Sequence, residues 1–255
     1  MTLQEKANLA AEVAREAGNF IRSNRQFNIH RKSEHDFVTE MDVASEKLIR
    51  ERLLTACPED EFFGEEGGGA TNAKGRWIVD PIDGTGNYIK DIPLYAISIA
   101  YEYEGKLVIG CVYAPALDEM YLAVRGHGAT CNGQPIHVSG ETDPNASYFS
   151  MSFAARIPSA YKQMVDTIER MIGSCADMRR MGSAAIDLCF TAIGRVEGFF
   201  ELGLFIYDIA AGIVILEEAG GKVTGWYENE NVLETGNICA TNGHVHEYLL
   251  GKLRG

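Results

Sequence analysis

Trp77-Ile78-Val79-Asp80-Pro81-Ile82-Asp83-Gly84-Thr85 runs from an apolar strand into two carboxylates, a proline turn and a hydroxyl. Asp80 and Asp83 stand three apart across that turn, so both side chains can converge on one point just past a strand end. Oxygen ligands at this density suit Mg²⁺, which keeps waters and recruits a substrate phosphate as a further ligand. The amides of Gly84 and Thr85, ahead of a helical turn expected at Asn87, can donate to phosphate oxygens. An Asp-Pro turn in which Asp83 serves only as a cap would use the same residues. With residue types at roughly one in twenty, D-P-x-D-G-T arises by chance in about one chain in ten thousand of this length, so the run carries real information.

Upstream, Ala7, Ala10, Ala11, Ala14, Ala17, Phe20 and Ile21 share one stripe, which predicts an amphipathic helix over 3–21. Thr39 and Asp42 form a capping-box-like pair that opens a second helix with Val43, Leu48, Ile49 and Leu53 on its apolar face, ending before Pro58. The polar segment Asn28 to Glu40 between them reads as an exposed loop or irregular hairpin. Downstream, β-rich stretches from Tyr95 to Tyr103, Leu107 to Tyr113 and Met120 to Val124, with a hairpin turn at Asn132-Gly133, predict an antiparallel meander.

The second half alternates. Strands are expected over 148–153, 198–201, 222–225 and 237–241, and helices over 159–172, 183–193, 207–219 and 244–253. Strands sandwiched between helices give an α/β chain of α+β type, a layered α-β-α-β-α sandwich. A seam near 140–145 divides it into an N-terminal half, 1–142, carrying most candidate ligands, and a C-terminal half, 143–255, completing the site.

A net charge of −13 with no Lys/Arg cluster argues against nucleic acid as a partner and for a small molecule. No basic leader with an apolar core and no membrane-length apolar run is visible, which predicts a cytoplasmic protein without membrane association. Cys57, Cys111, Cys131, Cys175, Cys189 and Cys239 form no C-x-x-C pair and read as reduced thiols. His244 and His246 have a spacing that can chelate, but a surface helix start explains them as well.

Two further acidic features bear on the Asp80/Asp83 turn. Glu65 follows the short apolar strand Glu61-Phe62-Phe63-Gly64 and precedes Gly67-Gly68-Gly69; it is placed to bridge metals, or is simply part of a solvated loop. Asp208 opens the helix continuing Ile209-Ala210-Ala211-Gly212, where a helix cap is the plain structural role. Taken with Asp36-Phe37-Val38-Thr39-Glu40-Met41-Asp42, Gly64-Glu65-Glu66, the Trp77 to Tyr88 run and Tyr207-Asp208-Ile209-Ala210-Ala211-Gly212, the chain resembles the inositol monophosphatase family over nearly its whole length.

That resemblance implies a lithium-sensitive, Mg²⁺-dependent phosphatase, a homodimer, with two or three ions per site. One ion would sit on Glu65, Asp80 and the Ile82 carbonyl, a second on Asp80, Asp83 and Asp208, and a weaker third on Glu65 and the substrate phosphate. Asp42 and Thr85 would orient and deprotonate the attacking water, and Lys32 and Asp36 would lie on a mobile loop. Gly84, Thr85, Ser183, Ala184, Glu201, Asp83 and Asp208 would meet the substrate, Glu201 by accepting hydrogen bonds from polyol hydroxyls. Glu201 also reads as an edge-strand charge, and Ser183 as a helix N-cap. The chain departs from the family in one place: Tyr207 stands where Trp is usual.

The implied reaction is hydrolysis of a small polyol phosphate, inositol 1-phosphate foremost. Relatives of the fold act on fructose 1,6-bisphosphate, 3′-phosphoadenosine 5′-phosphate, histidinol phosphate or the 2′-phosphate of NADP. A D-x-D-G-T phosphatase of the haloacid dehalogenase kind is excluded by spacing, because Pro81 widens the Asp-to-Asp interval from two residues to three. A non-catalytic scaffold that binds a sugar phosphate or a protein is the reading from a different class.

Overall fold

The computed structural model describes residues 1–24, 28–33, 36–69, 73–153 and 157–255, with backbone only for 30–33 and 36–38. Helix α1 (Leu3–Ser23) starts on a capping box, in which Thr2 N donates to the Glu5 carboxylate at 2.7 Å and Glu5 N to Thr2 Oγ1 at 3.2 Å. Its buried stripe runs through Ala7, Ala10, Val13, Ala14, Ala17 and Ile21, with Ala11 and Phe20 at the margins. The polar segment that follows is a hairpin of β1 (Ile29–Ser33) and β2 (Asp36–Thr39).

Helix α2 (Glu40–Ala56) has the expected cap, Thr39 paired with Asp42. One expectation for its buried face fails: Val43 is 54% exposed. The helix instead turns Asp42, Ser45, Glu46, Ile49 and Leu53 inward, a stripe at helical spacing whose first turn is polar because it faces a cluster of charges.

A seven-stranded sheet follows, in chain order across its width: β3 (Glu61–Gly64), β4 (Gly75–Asp83), β5 (Ala96–Tyr103), β6 (Lys106–Ala114), β7 (Glu119–Val124), β8 (Ala129–Cys131) and β9 (Gln134–Ile136). Helix α3 (Thr85–Ile89) separates β4 from β5. The meander is antiparallel from β4 onward, and β3 joins β4 in parallel.

The second sheet is built by β10 (Tyr148–Met151), α4 (Tyr161–Met171), β11 (Asp177–Arg179), α5 (Ala184–Ala192), β12 (Gly198–Glu201), α6 (Ile206–Glu218), β13 (Lys222–Thr224), α7 (Val232–Thr235), β14 (Ile238–Thr241) and α8 (His246–Arg254). Its strand order is β11-β10-β12-β14-β13, with β10 parallel to both β11 and β12. Strand β11 and helix α7 escape periodicity, because at three and four residues neither completes two repeats of its period.

Alternation along the strands sorts the core into layers. Trp77, Val79, Ile97, Ile99, Tyr101, Ile109, Cys111 and Tyr113 face α1 and α2. Ile78, Ala96, Ala100, Val112 and Ala114 face α5 and α6, which rest on Phe199, Ile238 and Ala240 of the second sheet. Beyond that sheet, Phe149, Met151, Phe200 and Cys239 pack on α4 and α8. The result is the expected α-β-α-β-α sandwich. Helix α6 seats closely on β6 because Gly110 has no side chain: a Cβ there would lie 2.2 Å from the Ala211 carbonyl oxygen.

His246 corrects the surface reading of its pair. The ring is fully buried in the first turn of α8, bonded to Thr224 Oγ1 at 3.0 Å and Thr241 Oγ1 at 2.9 Å, and burial lowers its pKa to about 4. The six cysteines are free thiols. Among the described residues no helix is long and apolar enough to cross a membrane.

Candidate active site

In a regular strand Asp80 and Asp83, an odd number apart, would point to opposite faces. Strand β4 avoids this with a bulge: Asp80 pairs with Ser98 and Asp83 with Ala96, so three steps on β4 match two on β5. The extra residue comes at Pro81-Ile82, where Ile82 N donates to Asp80 Oδ1 at 3.0 Å, and both carboxylates emerge on the same side. Gly84 then turns the chain at φ 88°, a conformation that disfavours any side chain, and a Cβ would also press on the Leu94 and Gly182 carbonyls.

The turn delivers the Thr85 hydroxyl 3.0 Å from the Ile82 carbonyl oxygen and 3.1 Å from Asp42 Oδ1. Asp42 Oδ2 accepts from Thr39 N and Thr39 Oγ1, both at 2.7 Å, so its other oxygen is left for Thr85. The α2 capping box and the site thus share one carboxylate. Asp83 Oδ2 is held from across the molecule, by the Ser183 hydroxyl at 2.5 Å and the Ala185 amide at 2.7 Å. Ser183 also caps α5, accepting from Ile186 N at 3.3 Å, so the expected N-cap and the expected site residue are one and the same.

Asp208 arrives on the first turn of α6, where its carboxylate accepts from Phe205 N at 2.7 Å. Helix α6 is set against the first sheet, and Ser98 Oγ, opposite Asp80 on β5, donates to the Tyr207 carbonyl at 3.3 Å. The Tyr207 ring stacks on Phe205 with centroids 5.3 Å apart. Carboxylate oxygens of Asp80, Asp83 and Asp208 lie within 4.8 Å of one another, all three residues buried.

Glu65 stands outside that trio, at the exit of β3, with its amide donating to the Val79 carbonyl at 3.2 Å. Its charge still reaches Asp42, Asp80 and Asp83. Glu46, which the sequence reading passed over, holds the Glu65 loop: its carboxylate accepts from Glu66 N at 2.8 Å and Gly67 N at 2.9 Å. The one available signal was its place four residues after Asp42, one helical turn along the same face. Asn87 reads in the sequence only as the place of a helical turn; its side-chain amide donates to Leu94 O at 2.6 Å and Met181 O at 2.7 Å, binding the segment before Ser183 to the Asp83 turn.

Ala184 is the first residue of α5, and Glu201 ends β12 half-buried. Lys32 and Asp36 fall on β1 and β2, with side chains outside the described residues.

The electrostatics are those of crowded buried acids. Asp80 is raised well above the usual carboxylate range, first by desolvation and then by the charges of Glu65, Asp83, Asp208 and Asp42. Asp83 is raised to about 6, again chiefly by desolvation, with Ser183 and the Ala185 amide pulling the other way. Burial raises Asp42 too, against its bonds from Thr39 and Thr85. An all-oxygen set with excess negative charge and no thiol or imidazole fits a hard divalent cation.

Comparison with known proteins identifies the family of the whole chain. The inositol monophosphatase family matches residues 2–255. The Escherichia coli (strain K12) protein named Nus factor SuhB is 36% identical over 253 residues, covering 97% of this chain and 95% of that protein. The structure of extragenic suppressor protein suhB from Bartonella henselae superposes with a TM-score of 0.93 at 33% identity, covering 97% of each chain. That of an inositol monophosphatase from Anabaena (Nostoc) sp. gives 0.89 at 33% identity, covering 100% of this chain and 97% of the other. Matched from end to end in sequence and in fold, the chain belongs to the inositol monophosphatase family.

Proposed function

We propose that this chain is a Mg²⁺-dependent phosphomonoesterase that hydrolyses a small polyol phosphate, inositol 1-phosphate foremost, to the free polyol and inorganic phosphate. The observation that carries this reading is the convergence of Asp80, Asp83 and Asp208 within 4.8 Å beside a bonded Asp42–Thr85 pair. Asp80, Asp83 and Asp208 would hold the metal, with Glu65 and the Ile82 carbonyl completing its ligands. When bound, Mg²⁺ supplies positive charge for the phosphate oxygens and makes water more acidic.

The chain's own residues account for the rest. Thr85 Oγ1 donates to Asp42 Oδ1 and accepts from the attacking water, so the water's proton passes through the hydroxyl to Asp42. Burial makes Asp42 a stronger base than an exposed aspartate, which suits it to that proton. The water oxygen attacks phosphorus, the bond from phosphorus to the polyol oxygen breaks, and that oxygen takes a proton from a solvent water while Asp42 later returns its own to solvent. The Gly84 and Thr85 amides face the phosphate, while Ser183, Ala184 and Glu201 line the polyol side. A homodimer and a cytoplasmic location belong to the same proposal, supported by family membership.

The test is phosphate release from a panel containing inositol 1-phosphate, fructose 1,6-bisphosphate and 3′-phosphoadenosine 5′-phosphate, with Mg²⁺ and with EDTA. The reading expects Mg²⁺-dependent turnover, fastest on inositol 1-phosphate. A chain inert toward the whole panel refutes it, and would favour the scaffold reading to which relatives named Nus factor SuhB lend support.

A further inference from the structure

The second sheet carries a polar strip of which the proposed reaction uses only the end, Glu201. Ser150 on β10 pairs with Phe199 on β12, so their side chains share a face, and Glu201, two residues beyond Phe199, returns to that face. Phe199 packs in the cluster containing α5 and α6, which identifies the face as the one α5 covers. Asp187 sits on the first turn of α5, its amide donating to the Ser183 carbonyl at 3.0 Å. The strip therefore leads from the buried pair Ser150 and Asp187 toward Glu201, on the side of α5 whose first residues grip Asp83.

Ser150 is completely buried and Asp187 is 1% exposed, yet neither Ser150 Oγ nor Asp187 Oδ1 has a hydrogen-bond partner within the protein. Ser150 stands beside the Asp187 carboxyl and favours its charged form, but no bond of ordinary length closes between them. Glu201, Asp83 and Arg180 are the charged groups that act on Asp187; the first two oppose its ionisation and Arg180 favours it. Orphaned buried polar atoms are costly, and two close together are the setting in which an ordered water resides.

We propose that Ser150 and Asp187 hold one buried water that hydrogen-bonds Glu201, making Asp187 a positioning residue for polyol recognition. The inference rests on the polyol-phosphate reading above. Glu201 is a half-buried carboxylate at the end of β12; a water held by Ser150 and Asp187 bonds one of its oxygens from below and fixes where that oxygen meets a hydroxyl. Asp187 touches neither phosphate nor metal in this scheme, so its effect falls on the choice of alcohol and not on the chemistry at phosphorus.

Asp187→Leu removes the polar atoms and keeps the branching of the side chain, Asp187→Asn keeps a hydrogen-bonding group at nearly the same volume, and Ser150→Ala removes the other partner. Steady-state kinetics on inositol 1-phosphate and on p-nitrophenyl phosphate, which has no polyol, separate the roles. Asp187→Leu should raise KM for inositol 1-phosphate about tenfold with little change in kcat or in p-nitrophenyl phosphate hydrolysis. Ser150→Ala should show the same selectivity more weakly, and Asp187→Asn should restore most of the loss. Parallel losses on both substrates with a lower Tm, or no change on either, overturn the proposal. If the wild-type chain hydrolyses p-nitrophenyl phosphate but discriminates no polyol, the phosphatase reading survives and this inference fails. A crystal structure adds a readout independent of turnover: density for a water between Ser150 Oγ and Asp187 Oδ1 supports the scheme, and a direct bond between them refutes it.

Discussion

Asp83 and Asp187 lie on either side of the same turn of α5 and are treated in opposite ways. Asp83 faces the turn from β4 and takes two donors from it, the Ser183 hydroxyl and the Ala185 amide; Asp187 belongs to the turn, and its Oδ1 takes none. The same contrast separates the two sides of the cleft. On the metal side, Asp42, Asp80, Asp83 and Asp208 each accept at least one hydrogen bond that fixes a carboxylate oxygen and leaves other lone pairs for a ligand. On the proposed polyol side Ser150 Oγ and Asp187 Oδ1 are buried without partners. A site that must place a cation is built rigid in advance, whereas a site that selects an alcohol leaves room for water and hydroxyls.

The sharpest way to break the metal side is Asp80→Asn, which removes the carboxylate at the centre of the repulsive cluster. Mg²⁺-dependent turnover should fall about a thousandfold, while the metal-free protein melts no lower than wild type, because one buried charge has gone. A large drop in Tm with the activity loss would mean that Asp80 serves the fold and not the site.

Next in size is Thr85→Val, which keeps the shape and removes the hydroxyl between Asp42 and the water. It should lower kcat about a hundredfold with KM nearly unchanged, read from initial rates at saturating Mg²⁺. An equal rise in KM would place Thr85 in substrate binding instead. Ser183→Ala tests the link across the cleft. It deletes both a donor to Asp83 and the α5 N-cap, so we expect about 1 kcal/mol of stability lost by denaturant unfolding and Mg²⁺ affinity about tenfold weaker in the activation curve.

How much of this was legible differs between the two sides for a physical reason. The Asp80/Asp83 pair, Thr85 and the Thr39/Asp42 cap are local, and residue spacing exposes the cap and the convergence of the two carboxylates; the expected turn past the strand end is instead a bulge inside β4, which runs on to Asp83. The bulge is what allows an odd spacing to put Asp80 and Asp83 on one side, and Pro81 in the middle of an apolar strand was its visible mark. Glu65 and Asp208 gained their meaning only from the full set of motifs, because a loop acid and a helix-opening acid have ordinary structural uses. Glu46 and Asp187 could not be read at all, and Asn87 only as the place of a helical turn. Glu46 and Asn87 act through partners far away in sequence, and Glu46 and Asp187 look like routine helical acids until the sheets close around them. Val43 failed for the converse reason: the site pulls the polar face of α2 inward and leaves an apolar residue outside.

The smallest expected effect concerns pH. The folded pKa of Asp83 is raised to about 6, above the ordinary aspartate value of about 3.9. The group binds protons more tightly when folded, so its contribution to stability is complete below pH ~4 and is lost as pH rises through about 6. In EDTA the wild-type Tm should therefore fall between pH 4.5 and 7 by about 4 °C more than that of Asp83→Asn. Parallel melting curves for the two proteins would show that Asp83 is not held against its own charge.

The central claim, that the converging carboxylates make a metal-dependent phosphatase whose nucleophile is water, meets its most direct test in ¹⁸O water. Metal-free protein is mixed in excess with inositol 1-phosphate and then given Mg²⁺. Phosphate should appear only after the metal is added, with one ¹⁸O per released phosphate, and protein quenched in acid during the turnover should carry no phosphoryl group. An aspartyl phosphate trapped by borohydride reduction during this single turnover, or no phosphate at any Mg²⁺ concentration, would contradict the account.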